Sequence, residues 1–151
     1  MLSIRTEVLI AASLSKVWGA LVDFPRYRAW HPFVEIDGNA REGADIDYYF
    51  RNNVEAPRGM SIRATIISLQ PMREFRLRMG FNGIATLEEW YRLEREGTQV
   101  RVVHAGMAAG VIPSVSAPLI RRRVTEKFQL PLDWLARHLT SPQAPKPGRK
   151  P

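Results

Sequence analysis

The sequence predicts an α+β fold in which a curved antiparallel sheet of about seven strands wraps around one long C-terminal helix. Three observations lead to this prediction. Residues 3–10 alternate with a period of two, six later segments alternate or are rich in β-branched and aromatic residues, and the last apolar stretch has helical spacing. The predicted order is strand, two short helices, six strands and the long helix.

The N-terminal part predicts one strand followed by two short helices. The period of two in residues 3–10 is typical of a half-buried strand. Ser13 or Ser15 can cap the next helix by accepting a hydrogen bond from a free backbone N–H. Apolar residues within 14–23 recur three and four positions apart, which indicates an amphipathic helix. Pro25 can open a second helical turn, because proline loses no hydrogen bond at the first helical position.

The middle of the chain predicts an antiparallel meander. Gly, Pro or Asn separates consecutive segments, as at Asn82-Gly83, and short turns of this kind connect neighbouring antiparallel strands. The six predicted strands are residues 34–36, 45–52, 60–69, 74–81, 85–94 and 99–108.

The last element is predicted to be a helix of more than five turns, beginning at about Pro113. Pro131 removes one backbone donor, so we expect the helix to bend there. Because a curved sheet and a single helix do not close completely, we expect a cavity between them. The apolar stripe that faces the sheet consists of Ile120, Val124, Phe128, Leu132, Leu135 and Leu139.

Length and composition predict one domain with a tail. A chain of 151 residues is long enough for one domain, which we place at residues 1–139. Residues 140–151 hold four of the eleven prolines and no large apolar residue, so we predict a disordered tail rich in Pro, Lys and Arg. The absence of cysteine excludes disulfide frameworks, Cys-ligated zinc and thiol chemistry.

The charge pattern bears on partners and location. The net charge is +7, and three of these charges lie in the predicted tail. Many of the remaining arginines alternate with apolar residues, as on a solvated sheet face, so we expect no nucleic-acid partner. Arg5 and Glu7 argue against a signal peptide, and no apolar run approaches the ~20 residues of a membrane span. We therefore expect a cytoplasmic protein.

The first part of the chain resembles a known family. Residues 10–24, Tyr27 and the segment Trp30-His-Pro-Phe33 are similar to the opening of the START-like (SRPBCC) superfamily, the polyketide cyclase, dehydrase and lipid-transport group with the helix-grip fold. The shared features are a strand ending in small residues, then Val-Trp, Leu-x-Asp-Phe, Tyr and Trp-x-Pro. In element order the resemblance extends over residues 3–139. It implies a hydrophobic or amphipathic ligand between sheet and helix, with no metal and no cofactor.

The sequence departs from this family near the last helix. Many members carry a His, an acid and an aromatic residue before a glycine at this point. His104 and Gly110 are present here, whereas Gly106 and Ala108 replace the acid and the aromatic residue. The two missing side chains predict a wider cavity entrance, and they weaken a catalytic interpretation that needs a carboxylate there.

The histidines are candidates for polar contacts rather than for a metal site, because none has a second His or an acid at helical metal spacing. His31 is either a polar contact at the mouth of a pocket or a surface loop residue. His104 lies in a predicted strand in phase with Val100 and Val102. If that phase faces inward, His104 can orient a ligand carbonyl or act as acid and base; the alternative is an outward or structurally bonded histidine.

Glu89 is the most informative carboxylate. It stands between Leu87 and Tyr91, which are apolar enough to face inward. A buried carboxylate needs a partner, so an inward Glu89 would be a polar anchor or a base. In the alternative phase, Glu88, Trp90 and Arg92 face inward instead. If catalysis occurs, the candidate residues are His104, Glu89 and Tyr91.

Strand parity and the helical stripe together predict the lining of the cavity, which is mostly apolar and aromatic. The predicted lining residues are Trp30, Phe33, Tyr48, Phe50, Met60, Ile62, Leu77, Met79, Phe81, Leu87, Glu89, Tyr91, His104, Met107, Phe128 and Leu132.

Three functions are compatible with this reading, and we favour the first. It is the binding or transport of a hydrophobic or amphipathic small molecule, such as a lipid, a quinone or a polyketide-like compound, without covalent chemistry. The second is an enzyme of the polyketide cyclase or aromatase type. The third is a protein-interaction module of the chaperone-activator type that uses the Arg-rich helix and the tail.

The arginine run on the long helix is ambiguous. Arg121, Arg122 and Arg123 could contact an anionic headgroup or a membrane surface during lipid exchange. The alternative is a solvated helix face. We expect a monomer or a weak dimer.

Overall fold

The computed structural model describes residues 2–53, 55–81 and 84–141. The elements follow the predicted order. They are β1 (Leu2–Ile10), α1 (Leu14–Val22), a 3-10 helix (Phe24–Ala29), β2 (Val34–Asp37), β3 (Asp45–Phe50), β4 (Ser61–Gln70), β5 (Glu74–Phe81), β6 (Ala85–Glu96), β7 (Gln99–Gly110) and α2 (Val111–Thr140).

The seven strands form one antiparallel sheet in the order β1-β7-β6-β5-β4-β3-β2. Strands β2 to β7 pair consecutively, as in a meander, and β1 pairs with β7 over its whole length. The curled sheet and the C-terminal helix confirm the predicted α+β fold of the helix-grip type.

Local chemistry explains the start of the chain. Ser13 is the cap of α1, because its Oγ accepts a hydrogen bond from the Lys16 backbone N–H at 3.2 Å. The buried residues of α1 are Val17, Trp18 and Leu21, so the helix turns one apolar face toward the core. Pro25 lies at the beginning of the 3-10 helix, as predicted.

The core lies between the inner face of the sheet and the helices. Helix α2 contacts β1, β7 and β6. The C-terminal half of its predicted apolar stripe is buried, at Leu132, Leu135 and Leu139. Residues 142–151 of the predicted tail and the predicted turn at Asn82-Gly83 lie outside the described residues.

Strand β6 has the phase that turns Glu89 inward. Glu89 is buried, as are Tyr91 and Leu93 two and four positions further on. Trp90 lies on the opposite face, where the Arg76 guanidinium is 4.3 Å from its ring centroid. The alternative phase, with Trp90 facing the core, is therefore wrong.

Helix α2 does not qualify as a membrane span. Within the described residues, no helix combines the length and the apolar character that crossing a bilayer requires.

The burial of α2 predicts the cost of shortening its side chains. Leu132 is fully buried, whereas Leu130 is 38% exposed. Leu132→Ala is expected to lower the free energy of unfolding by about 2–5 kcal/mol, because it leaves a cavity in the core. Leu130→Ala is the matched control and is expected to change it by roughly 0.5 kcal/mol or less. Urea unfolding followed by circular dichroism measures both, and equal losses would contradict the assigned helix face.

Candidate functional site

An open groove of about 240 Å³ lies between α2 and the sheet. Its apolar walls come from the segment after the 3-10 helix, from β3 and β6, and from α2. The volume exceeds that of a cavity of about 150 Å³ that holds benzene and is below the roughly 300–1,000 Å³ of most ligand pockets. The apolar residues of the walls are Phe33, Val34, Phe50, Leu87, Val124, Phe128 and Pro131.

The groove has a polar, buried bottom and an exposed mouth. Tyr48, Glu89 and His104 contribute to its lining and are each less than 7% exposed. Asn52 and Lys127 also line the groove but are exposed, which places them at the mouth. A guest in this groove would therefore meet polar groups at its inner end and solvent at its outer end.

The polar bottom is a connected hydrogen-bond network. His104 Nε2 lies 3.1 Å from Glu89 Oε1. The Tyr48 hydroxyl donates to the same carboxylate, at 3.3 Å from Oε1 and 3.2 Å from Oε2. His104 Nδ1 lies 2.9 Å from the backbone carbonyl oxygen of Phe128 in α2. The network therefore connects β3, β6 and β7 to the covering helix.

The network fixes how many protons it holds. The Phe128 carbonyl oxygen can only accept, so His104 Nδ1 carries a proton. The short contact between His104 Nε2 and Glu89 Oε1 then requires one shared proton. The pair is either imidazolium with carboxylate or neutral imidazole with carboxylic acid. In both forms it has no net charge and holds one transferable proton.

Pairing between strands places these side chains. In the β6–β7 ladder Glu89 is opposite Gly106 and Tyr91 is opposite His104. The rings of Tyr91 and His104 stack, with centroids 4.2 Å apart and planes 3° from parallel. This stacking holds the imidazole in the plane that both of its hydrogen bonds need.

The stack extends across the interior as a column of four nearly parallel rings. Phe75 lies 6.3 Å from Tyr91 on one side, and Phe128 lies 4.4 Å from His104 on the other. Aromatic pairs at these distances add about 0.5–1.5 kcal/mol beyond their burial. The column therefore aligns α2 with the sheet at the bottom of the groove.

The sequence predicts a wider cavity entrance at Gly106, and the structure shows that this prediction is wrong. A Cβ at position 106 would lie 2.7 Å from two atoms of the Phe128 ring. The space that the missing side chain leaves on β7 is therefore filled by a ring from α2. The glycine is needed because the ring approaches the strand closely.

Burial keeps the tyrosines at the site protonated. It raises the pKa of Tyr48 and of Tyr91 well above the usual range, and the negative charge of Glu89 adds to both increases. Tyr48 is therefore a hydrogen-bond donor to Glu89. The Tyr91 hydroxyl has no hydrogen-bond partner among the described residues, and neither has Trp30 Nε1.

His31 is buried beside the groove, so the surface-loop alternative is wrong. Its Nδ1 accepts hydrogen bonds from the backbone N–H groups of Phe33 and Val34, both at 3.1 Å. Burial lowers the pKa of His31 well below 6.5, and the positive charges of His104 and Arg51 lower it further. His31 is therefore a neutral, structural acceptor that shapes the wall of the groove.

The structure brings about half of the predicted lining residues to the groove. Others are buried in the core and do not line the groove, because neighbouring side chains separate them from it. The groove residues are Phe33, Tyr48, Phe50, Leu87, Glu89, His104 and Phe128. The core residues are Trp30, Leu77, Met79, Tyr91 and Leu132.

The remaining predicted lining residues lie elsewhere. Met60 precedes β4 and is 73% exposed. Met107 has the opposite strand phase to His104 and is half-buried on the outer face. Ile62 is half-buried against the core. The side chain of Phe81 lies outside the part of the molecule that the structure describes.

Sequence reasoning missed several groove residues. Val124, Lys127 and Pro131 lie three or four positions from one another on α2, beside Phe128. Helical spacing from Phe128 would have found Val124 and Pro131, which are four and three positions away, but not Lys127, which is adjacent to it. Arg51 had no such signal, because it follows the end of β3. Among the described residues, no three His, Asp or Glu side chains come together as a metal site would require.

The arginine run of α2 is exposed, and two of its three residues contact other residues of the chain. Arg121 Nη1 donates to the Ser3 carbonyl oxygen at 3.1 Å, and Arg122 Nε lies 3.6 Å from Glu126 Oε1. These contacts give no support to the predicted membrane contact.

The comparisons with known proteins agree with this architecture. A family model described as polyketide cyclase / dehydrase and lipid transport matches residues 1–140. No curated protein matches the sequence.

Three solved structures show the same fold at identities below 25%. Protein CV1439 from Chromobacterium violaceum has a TM-score of 0.73 at 15% identity, and the match covers 93% of this chain and 98% of that one. The Aha1 dimer from Colwellia psychrerythraea has a TM-score of 0.70 at 19% identity, with 92% and 96% covered. The di-domain ARO/CYC BexL from the BE-7585A biosynthetic pathway has a TM-score of 0.73 at 16% identity, with 92% and 46% covered.

The lowered pKa of His31 predicts a pH dependence of stability. The unfolded chain takes up a proton at this residue below about pH 6.5, whereas the folded chain does not. Stability from His31 is therefore complete above that pH and falls below it, by up to about 1.4 kcal/mol per pH unit.

His31→Asn tests this dependence. An asparagine oxygen can accept the same two N–H bonds, as Asn53 Oδ1 does from Glu55 and Ala56. Urea unfolding between about pH 5 and pH 7.5 should show a shallower loss of stability in the variant, by about one proton. Parallel curves would contradict the assignment.

Proposed function

This chain belongs to the polyketide cyclase / dehydrase and lipid transport family, and we propose that it binds a hydrophobic or amphipathic small molecule in the groove between α2 and the sheet. The single observation that carries the proposal is an apolar-walled groove closed at its bottom by a buried, hydrogen-bonded polar network. A few polar groups at the end of an apolar cavity are typical of a small-molecule site.

The volume of the groove limits the size of the ligand. About 240 Å³ accommodates one or two rings, or the corresponding part of a longer chain. Burying roughly 150 Å² of apolar ligand surface is worth about 4 kcal/mol before association costs are subtracted. Polar contacts at the bottom must therefore supply much of the affinity and all of the orientation.

The polar bottom is suited to a hydroxyl or carbonyl group. Glu89 and His104 share one proton, so the pair can accept from a ligand hydroxyl or donate to a ligand carbonyl. Tyr48 holds the carboxylate from the other side. Neutral polar ends on an apolar body are the chemistry of quinones, phenols and polyketide fragments.

Filling the groove is expected to weaken ligand binding without unfolding the protein. Val124→Trp places an indole in the groove, whereas Leu130→Trp places one on the 38% exposed Leu130 position of the same helix. Calorimetric titration with β-naphthol should show an affinity about tenfold or more lower in the first variant and unchanged in the second. Equal binding by both variants, or none by the wild type, contradicts the proposed site.

A second candidate function is proton transfer on the bound molecule. It is favoured by the buried Glu89–His104 pair, in which acid and base lie 3.1 Å apart in the lining of the groove. Such a pair can remove a proton from the carbon beside a carbonyl group and return it to oxygen, as a cyclase or dehydratase step requires. Tyr91 stacks on the imidazole and would act by positioning it.

Hydrogen exchange on a simple ketone tests the second candidate. β-Tetralone in D₂O should exchange its α-protons faster with wild-type protein, and Glu89→Gln should reduce that acceleration about 10²–10⁴-fold. Glu88→Gln is the matched control, because Glu88 pairs with Arg78 on the outer face. Proton NMR follows the exchange, and an unchanged rate in Glu89→Gln would remove this pair from any catalytic role.

The protein-interaction alternative stays a prediction. The likeness to the Aha1 dimer is a likeness of fold, at 19% identity. The cytoplasmic location and the monomeric or weakly dimeric state are likewise predictions.

A further inference from the structure

The charged groups around the groove cancel in pairs, with one exception. Arg51 has a side chain that is 0% exposed, and its Nε lies 3.6 Å from Glu35 Oε2. Arg58 contacts the same Glu35 and forms a double hydrogen bond with Asp37, at 2.8 and 2.9 Å. Two guanidinium groups and two carboxylates thus form a neutral cluster beside the groove.

The bottom of the groove is neutral as well. Glu89 and His104 carry no net charge in either form of their shared proton. His31 is uncharged, because both neighbouring backbone N–H groups donate to its Nδ1 and leave no room for a proton there.

Lys127 is the exception. Its Nζ lies 5.5 Å from the centroid of Phe33, a wall residue, so the ammonium group stands at the edge of the groove. Of the carboxylates in the described residues, none lies within 4.0 Å of this nitrogen. Among the described residues that line the groove, Lys127 therefore carries the one positive charge without a carboxylate partner, and it lies at the mouth.

We propose that the ligand is an amphipathic monocarboxylate, with a body of one or two rings inside the groove and its carboxylate at the mouth against Lys127. This inference rests on the proposed binding function and narrows it to a chemical class. A carboxylate complements the Lys127 ammonium group, and the apolar walls complement the body.

The orientation follows from the position of Glu89. A ligand carboxylate at the bottom of the groove would be buried beside the Glu89–His104 pair, which has no net charge to compensate it, and burying an uncompensated charge is costly. At the mouth the carboxylate stays partly hydrated and meets the ammonium group. The inner end of the ligand is then free to present a hydroxyl or carbonyl group to Glu89 and His104.

Calorimetric titration with para-coumarate and para-coumaramide tests the class. The two probes share a ring and a phenolic hydroxyl and differ only in carboxylate against neutral amide. Wild-type protein should bind the carboxylate about three- to tenfold more tightly than the amide. Lys127→Gln should bring this ratio close to one, and Lys127→Arg should restore it.

Arg122→Gln is the control, because it removes a positive charge from the same helix at a side chain that is 94% exposed and lies outside the groove lining. It should keep the wild-type ratio. Equal binding of acid and amide by wild type, or an unchanged ratio in Lys127→Gln, overturns the ligand class while the binding function stands. If neither probe binds and β-naphthol also fails, the binding function itself falls.

Discussion

The two hydrogen bonds of His104 are the interaction on which the architecture of the site depends. One imidazole nitrogen binds a backbone carbonyl of α2, and the other binds a carboxylate of β6. The imidazole ring of His104 thereby links α2 to the sheet. It also shares one proton with the buried Glu89 carboxyl group, so the pair has no net charge. Removing the imidazole would leave the buried Glu89 with Tyr48 as its remaining side-chain partner among the described residues, and a buried polar group that loses a partner costs about 1–3 kcal/mol.

Charged side chains have different surroundings on the two faces of the sheet. On the outer face, acids and arginines pair in contact with water, as Arg78 does with Glu88 at 2.7 Å. Exposed pairs of this kind contribute little to stability. On the inner face, one carboxylate is retained with two partners, Tyr48 and His104, that satisfy it by hydrogen bonding. Burying an acid is costly, so a fully bonded acid beside an open groove points to a role toward a guest.

Periodicity in the sequence was sufficient to predict the order of the elements and the face of the last helix that covers the sheet. It was insufficient for the phase of β6, because Trp90 is as apolar as its inward-facing neighbours. Trp90 tolerates the outer face since Arg76 covers its ring, a contact that no alternation pattern contains. His31 and Arg51 depend on backbone groups of a loop, and Met60 has an apolar side chain but no neighbour that buries it. Such outcomes depend on distances between segments remote in sequence.

The close contact between Gly106 and the Phe128 ring bears on how the size of the ligand site can change in evolution. The strand has no side chain at position 106 and the Phe128 ring of α2 occupies that space, so one residue of the helix sets the dimensions of the interior at this point. In evolution, substitution of Phe128 by a smaller or larger residue would change the size of the ligand that fits, and the sheet and its hydrogen-bond ladder would stay intact.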